Sequence, residues 1–126
     1  MNADCRSENR MPEAFVLNRQ NILERLGGDE EIYIMMLDMY LQDVDANCAS
    51  LAAAIASGQA AEIRREAHTV KGLLATFSDD SGAAAAFVVE QQAKAGDLNG
   101  LAAAAATLET RMREVAVALA AARRTG

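Results

Sequence analysis

The fold is decided by residues 30–57, which read EEIYIMMLDMYLQDVDANCASLAAAIAS. Apolar side chains recur along this stretch at alternating steps of three and four residues, the spacing of a helix with one buried face. Asp29 lies where an N-cap belongs, and Gly58 breaks the pattern. The sequence therefore predicts one long amphipathic helix. Its predicted core-facing stripe is Ile34, Leu37, Leu41, Val44, Cys48, Leu51 and Ile55.

Further helical segments are predicted on both sides of this stretch. They are residues 13–26, 60–76, 82–95 and 98–122, with residues 78–82 as a polar loop. The predicted core positions of the last three segments are Ile63, Ala67, Val70, Leu74 and Phe77; Ala86, Val89 and Ala93; and Leu98, Leu101, Ala105, Leu108, Met112, Val115, Leu119 and Ala122. Four long helices with short connections predict an all-α fold, an antiparallel up-down-up-down four-helix bundle with a short extra N-terminal helix. Residues 1–12 are predicted to be a flexible tail, and residues 13–126 a single domain.

The composition favours a helical domain and excludes several classes of protein. Of the 126 residues, 52% are hydrophobic, 4% are aromatic and one is proline, which favours helices over strands. A net charge of -6 argues against a nucleic-acid partner and against binding to an anionic membrane. No apolar run approaches the ~20 residues of a membrane span, and the polar N-terminus lacks a signal-peptide core, so a cytoplasmic protein is expected. Cys5 and Cys48 are expected to be reduced and free of metal.

The chain contains one histidine, and its place on the 60–76 helix is informative. At 100° per residue, His68 lies about 140° from the apolar stripe, so its imidazole is predicted to face solvent. Arg64 and Lys71 border it at helical spacing, and Gly72 follows one turn later. A mid-helix glycine costs about 1 kcal/mol relative to alanine, which suggests close approach by another molecule. A structural bundle with a chance histidine has to treat these three neighbours as coincidence.

An exposed imidazole flanked by cations suits chemistry on an anion. Neutral imidazole can form a covalent adduct at one ring nitrogen, and nearby Lys and Arg side chains would stabilise a phosphoryl group. The sequence has no G-x-x-x-x-G-K-[ST] loop and no glycine-rich loop after a strand, so no ATP site is predicted. The chain is therefore predicted to carry a phosphoryl group without making one, and not to be an enzyme in its own right.

Residues 67–72, Ala-His-Thr-Val-Lys-Gly, resemble the A-H-x-L-K-G signature of histidine-containing phosphotransfer (HPt) domains. The similarity extends to residues 23–29 before the long helix and to residues 54–59 before the histidine helix. Glu90 falls where the family often has the Glu of an L-E pair. The resemblance covers about residues 15–120 and implies the same helical bundle.

The sequence departs from the family pattern at three places. Val70 and Val89 each replace a usual Leu, which is a conservative change in a core. Ser78-Asp79 lies where the family commonly shows Gly-Ala after the histidine helix. Because glycine supports a tight helix exit, the 78–82 loop is expected to be longer or frayed.

The resemblance also implies a function for the histidine face. His68 would accept a phosphoryl group from the aspartate of one receiver domain and pass it to another, as a phosphocarrier in a multi-step phosphorelay. Lys71 would neutralise the phosphate, with a weaker contribution from Arg64, and Gly72 would leave room for the receiver. The docking face would comprise Gly72, Arg65, Ala75 and Ala61 on a monomer. The partners would be receiver domains of response regulators or of a hybrid sensor histidine kinase, and since the Mg²⁺ belongs to the receiver, no metal or cofactor is expected here.

Two alternatives stay open at this point. A second apolar patch on the long helix, Ile32, Met35, Met36 and Met39, could dock a receiver. We favour instead that the N-terminal helix covers it with Phe15, Val16, Ile22 and Leu23. The bundle could also be an adaptor that binds a receiver without being phosphorylated, although such a protein would tend to lose His68 or Lys71.

Overall fold

The computed structural model describes residues 14–125, which form five α-helices and no strand. They are α1 (Arg19–Arg25), α2 (Glu30–Ser57), α3 (Ala60–Thr76), α4 (Asp80–Lys94) and α5 (Leu101–Thr125). The predicted all-α bundle is confirmed, since α2 and α4 each pack against both α3 and α5 and the four long helices enclose one core. The bounds predicted for the second and third helices agree with α2 and α3. The tail predicted over residues 1–12 lies outside the described residues.

The ends of α2 are set by local chemistry that the sequence signals correctly. The Asp29 side chain accepts a hydrogen bond from the Ile32 amide at 3.1 Å, and Glu30 and Glu31 occupy the first turn, where the helix dipole favours negative charge. Gly58 ends the helix with a left-handed backbone at φ 68°, and its amide bonds to the Ile55 carbonyl.

The buried face of α2 is partly shifted from the predicted stripe. Leu37, Val44, Cys48 and Leu51 are buried as predicted, but Tyr33, Tyr40 and Ala54 take the places predicted for Ile34, Leu41 and Ile55, which are half-buried. Tyr40 is accommodated because its hydroxyl donates to the Met112 carbonyl at 2.8 Å and its ring meets the Phe77 ring edge-on at 5.5 Å. The buried residues still recur at steps of three and four, but at three positions the buried residue is one position earlier than predicted.

The other helices confirm the predicted core and correct several predicted bounds. Every core position predicted on α3 and α4 is buried, as is the predicted stripe from Leu101 to Leu119 on α5. Leu98 was predicted to begin that stripe, but it precedes α5 and is 40% exposed. The N-terminal helix is limited to seven residues, and α4 begins at Asp80 rather than Gly82.

The prediction that the N-terminal helix covers the methionine patch is wrong. Ile22 and Leu23 are buried in the core instead, and Val16 is 80% exposed. Met35 and Met39 remain 56% and 55% exposed. Ile22 and Leu23 are the two apolar side chains of α1. Because both are buried in the core, α1 has no further apolar side chain that could cover the methionine patch.

Candidate functional site

His68 projects from the middle of α3 into solvent. Its side chain is 66% exposed, whereas Ala67 and Val70 beside it are buried. The angle of about 140° predicted between His68 and the apolar stripe therefore agrees with the structure, because α3 is regular from Ala60 to Thr76.

A carboxylate on the neighbouring helix bridges the histidine and the lysine. Oε2 of Glu90 lies 3.0 Å from Nδ1 of His68, and Oε1 lies 2.9 Å from Nζ of Lys71. Glu90 projects from α4 and its side chain is only 12% exposed. Hydrogen bonding from Lys71, and then from His68, lowers the pKa of Glu90 below its ordinary value, so the carboxylate is ionised at neutral pH.

The carboxylate determines which ring nitrogen is available for chemistry. An ionised carboxylate can only accept hydrogen bonds, so the neutral imidazole of His68 places its proton on Nδ1. Nε2 then carries the free lone pair on the far side of an exposed ring. This arrangement presents one nucleophilic nitrogen to a partner and holds the ring at its opposite edge.

A shallow cationic groove adjoins His68 on the side of the N-terminus of α3. It is lined by Ala61, Arg64, Arg65, His68, Thr69 and Glu90. Arg65 is engaged by Glu62, with Glu66 at 3.8 Å, while Arg64 is exposed and forms no ion pair with another residue of the described range 14–125. Of the two arginines, Arg64 is therefore the one whose charge is free to meet an anion.

Small residues continue the same surface beyond the histidine. Gly72, Ala61 and Ala75 are all exposed on α3, and a Cβ built on Gly72 would meet no atom within 4 Å. The structure thus brings the predicted docking residues together on one face around His68. Nothing in the fold itself requires a glycine at position 72, because neither its backbone angles nor its packing exclude alanine.

The turn from α3 to α4 is short and tightly bonded, so the expectation of a longer or frayed loop is wrong. Ser78 adopts the left-handed conformation at φ 62° that glycine usually takes, and the amides of Ser78 and Asp79 bond to the carbonyls of Ala75 and Leu74. The Ser78 hydroxyl is held by Arg25 at 3.0 Å and by Asn21 at 2.8 Å. These two bonds from α1 secure a serine in a conformation that costs energy for any side chain other than glycine.

Asp79, expected in a solvated loop, is buried and fixes the start of α4. One oxygen accepts the Gly82 amide at 3.0 Å as a helix cap, and the carboxylate receives Nε and Nη2 of Arg111 at 2.8 and 2.7 Å. Both side chains are 2% exposed. The hydrogen bonds that Arg111 donates to Asp79 raise the pKa of Arg111, so the guanidinium stays charged in the core. This ion pair therefore anchors α4, the helix that carries Glu90, to α5.

Glu90 is predicted from the sequence only as part of a family motif, and no role is predicted for Asp79, Arg111 or Phe87. Phe87 lies one turn before Glu90, and its ring centroid is 5.0 Å from Nζ of Lys71. Because Val89 beside it is buried, Glu90 could be assigned to the edge of the buried face of α4, but nothing in this segment indicates its contact with His68. No local signal distinguishes buried Asp79 from the other polar residues of the turn.

The remaining predicted features concern metals, membranes and the cysteines. Within residues 14–125, no group of three His, Cys, Asp or Glu residues could hold a metal ion. The described helices include none that is long and apolar enough to cross a membrane. Cys48 is free and buried, and burial raises the pKa of its thiol. Cys5 lies outside the described residues.

Comparisons with known proteins place this geometry in a family. The sequence profile of the Hpt domain matches residues 35–122, which is more than half of the chain. The fold is similar to the crystal structure of histidine-containing phosphotransfer protein B (HptB) from Pseudomonas aeruginosa PAO1, with a TM-score of 0.79, 24% sequence identity and coverage of 90% of this chain and 99% of that chain. No curated protein sequence matches. The chain therefore belongs to the Hpt domain family, whose members are histidine phosphotransfer proteins of phosphorelays.

Proposed function

We propose that this protein is a phosphocarrier in which His68 accepts a phosphoryl group from a receiver-domain aspartate and passes it to another receiver domain. The observation that carries the proposal is the contact between Nδ1 of His68 and Glu90, which leaves Nε2 exposed with its lone pair free. The donor and acceptor are receiver domains of response regulators or of a hybrid sensor histidine kinase. The carrier acts as a monomer in the cytoplasm and holds no metal or cofactor of its own.

In the transfer step, bonds form and break only at the imidazole and the aspartyl phosphate. The lone pair of Nε2 attacks phosphorus, the phosphorus–oxygen bond to the aspartyl group breaks, and its electron pair leaves with the aspartate carboxylate. The ring keeps its proton on Nδ1, so it becomes positively charged, and Glu90 at 3.0 Å supplies the compensating negative charge. Onward transfer reverses these steps, and a positively charged ring is a good leaving group.

The cations around His68 support the same step by stabilising the phosphoryl oxygens. Lys71 is already beside the histidine, because both contact the same carboxylate. Arg64 lines the adjoining groove and has its charge available. A phosphoryl group carries about two negative charges at neutral pH, and a cationic surface offsets them where a neutral one would not.

The test is phosphoryl transfer from a purified, radiolabelled receiver domain to the full chain and to two variants. The unsubstituted protein is expected to take label that is acid-labile and base-stable, as a phosphorus–nitrogen bond is. His68→Gln is expected to take none while it melts at nearly the same temperature, because the side chain lies off the core. Thr110→Ala is the matched control, since it removes an exposed hydroxyl from α5, a helix that contributes no residue to the groove beside His68, and it should leave labelling intact.

The same experiment separates the carrier from a receiver-binding adaptor. An adaptor would bind the receiver and take no label, and His68→Gln would then bind as well as the unsubstituted protein does. Label that persists in His68→Gln, or label that is stable to acid, would refute the assignment of His68 as acceptor.

A further inference from the structure

Phe87 is a large aromatic residue left 47% exposed beside the histidine face. It lies on α4 one turn before Glu90, so both side chains project from α4 toward the same part of α3. A ring that remains half in water gains only part of the energy of a buried one, and core packing does not account for it. Its contact with Lys71 offers a different account.

Lys71 is held between the Phe87 ring and Glu90. Its Nζ lies 5.0 Å from the ring centroid, within the range of cation–π attraction, and 2.9 Å from Oε1 of Glu90. A lysine on a helix surface has four rotatable bonds and usually keeps its ammonium in water. Here the side chain is only 28% exposed, because the ring and the carboxylate enclose it.

We propose that Phe87 is a positioning residue for Lys71, which it holds beside His68 together with Glu90. The inference rests on the proposed function, because the position of Lys71 affects transfer only where this ammonium stabilises the phosphoryl group. One ion pair alone allows the ammonium to pivot about the carboxylate, and the ring adds a second support.

An aromatic ring suits this role better than a second acidic residue would. The ring attracts the cation through its face and has no lone pair that takes an N–H donor. Lys71 has three such donors, of which Glu90 uses one. The ring therefore orients Lys71 and leaves donors for phosphoryl oxygens, whereas a second carboxylate would neutralise the charge that the phosphoryl group needs.

The experiment measures the contact and the transfer separately in the full chain. Phe87→Leu removes the ring and keeps an apolar side chain, and Phe87→Tyr restores the ring face. Val88→Ala is the matched control, because Val88 is the next residue on α4, is 59% exposed and points about 100° away. The first readout is the NMR shift of the Lys71 side-chain methylene protons in unphosphorylated protein, which the ring current displaces. The second is the transfer rate from a phosphorylated receiver.

Phe87→Leu is expected to return the Lys71 signals toward those of a free lysine and to slow transfer about two- to fivefold, the effect of an exposed cation–π contact. Phe87→Tyr and Val88→Ala are expected to preserve both readouts. In a Lys71→Ala background, Phe87→Leu is expected to slow transfer no further, because its effect passes through Lys71.

Two outcomes would overturn the positioning role: Lys71 signals unchanged by Phe87→Leu, or equal slowing by Phe87→Leu with and without Lys71. If the unsubstituted protein took up no phosphoryl group, the proposed function would fail instead. The NMR readout needs no phosphate, so the contact itself is tested in either case.

Discussion

The same substitution, Gly→Ala, is predicted to have opposite effects on stability at an exposed glycine and at a buried one. Gly72 is exposed on α3, and an alanine Cβ there would meet no atom within 4 Å. Gly82 is buried in the first turn of α4, where a Cβ would lie 2.1 Å from Oδ2 of Asp79 and 2.8 Å from Cδ1 of Leu74. Gly→Ala adds intrinsic helix preference at both positions, and more of it at Gly72 in the helix interior than at Gly82 in the first turn. The remaining difference between the two variants comes from packing.

The magnitudes follow from what each Cβ displaces. Gly72→Ala is expected to stabilise the fold by about 1 kcal/mol, which raises Tm by about 4 °C in a domain of this size. Gly82→Ala gains at most this much and has to move Asp79, which caps α4 and pairs with Arg111. Overpacking costs about 1–3 kcal/mol and a broken buried ion pair about 3–5 kcal/mol. A partial shift of Asp79 gives a net loss of about 2–4 kcal/mol and a Tm lower by roughly 10 °C.

The assay is urea and thermal unfolding followed by circular dichroism, with receiver affinity measured on the same proteins. Gly72→Gln is a third variant, expected to be slightly stabilised on its own and to bind and transfer less well, because its side chain would intrude between docked surfaces. A destabilised Gly72→Ala would show that position 72 packs against another helix, and an unaffected Gly82→Ala would refute the tight placement of Asp79. A Gly72→Gln protein with normal transfer would move the docking face elsewhere, for example to the exposed patch at Met35 and Met39.

Two further predictions concern the groups around His68. Lys71→Ala is expected to slow transfer by about one to two decades, the value of a charge-assisted contact of about 1.5–3 kcal/mol, and an unchanged rate in the receiver assay would remove Lys71 from this role. The pKa of Glu90 is lower in the folded protein than its ordinary value of 4.5, so its contribution to stability is present above that pH and is lost as the pH falls through the lowered pKa. Urea unfolding should therefore find Glu90→Gln less stable at pH 7, with the difference shrinking as the pH falls below the ordinary pKa of 4.5, and a difference that does not change with pH would contradict the lowered pKa of Glu90.

The parts of the site that lie on one helix could be predicted from the sequence. The exposure of His68 and Gly72 follows from the apolar stripe of α3, because a regular helix turns by about 100° per residue and every core position predicted on α3 is buried. Contacts between helices need a knowledge of which helices adjoin, and the periodicity of one segment does not contain it. The bridge from Glu90 to His68 spans 22 residues of sequence and is of this second kind.

Buried polar groups were the hardest to predict. Ser78, Asp79 and Asp80 read as a solvated loop, since their composition is that of a turn. Asp79 is buried because Arg111, 32 residues away, supplies two hydrogen bonds to its carboxylate. Tyr40 is absent from the predicted stripe of α2, and its hydroxyl is satisfied by a carbonyl 72 residues away. In each case the partner that compensates for the burial of the polar group lies on a distant segment of the chain.

A histidine that accepts a phosphoryl group has to be accessible to its partner. Transfer also requires the ring to keep a fixed orientation, and the two requirements conflict. The His68 side chain is 66% exposed, and an exposed imidazole can turn about two bonds. The restraint comes from α4, because the Glu90 side chain is only 12% exposed and its carboxylate lies 3.0 Å from Nδ1 of His68. The position of α4 depends in turn on its first turn, where Asp79 caps the helix and binds Arg111 of α5. A buried ion pair is a weak source of stability, because desolvation offsets most of its attraction. The contacts that restrain His68 therefore run from Arg111 on α5 through Asp79 at the start of α4 to Glu90.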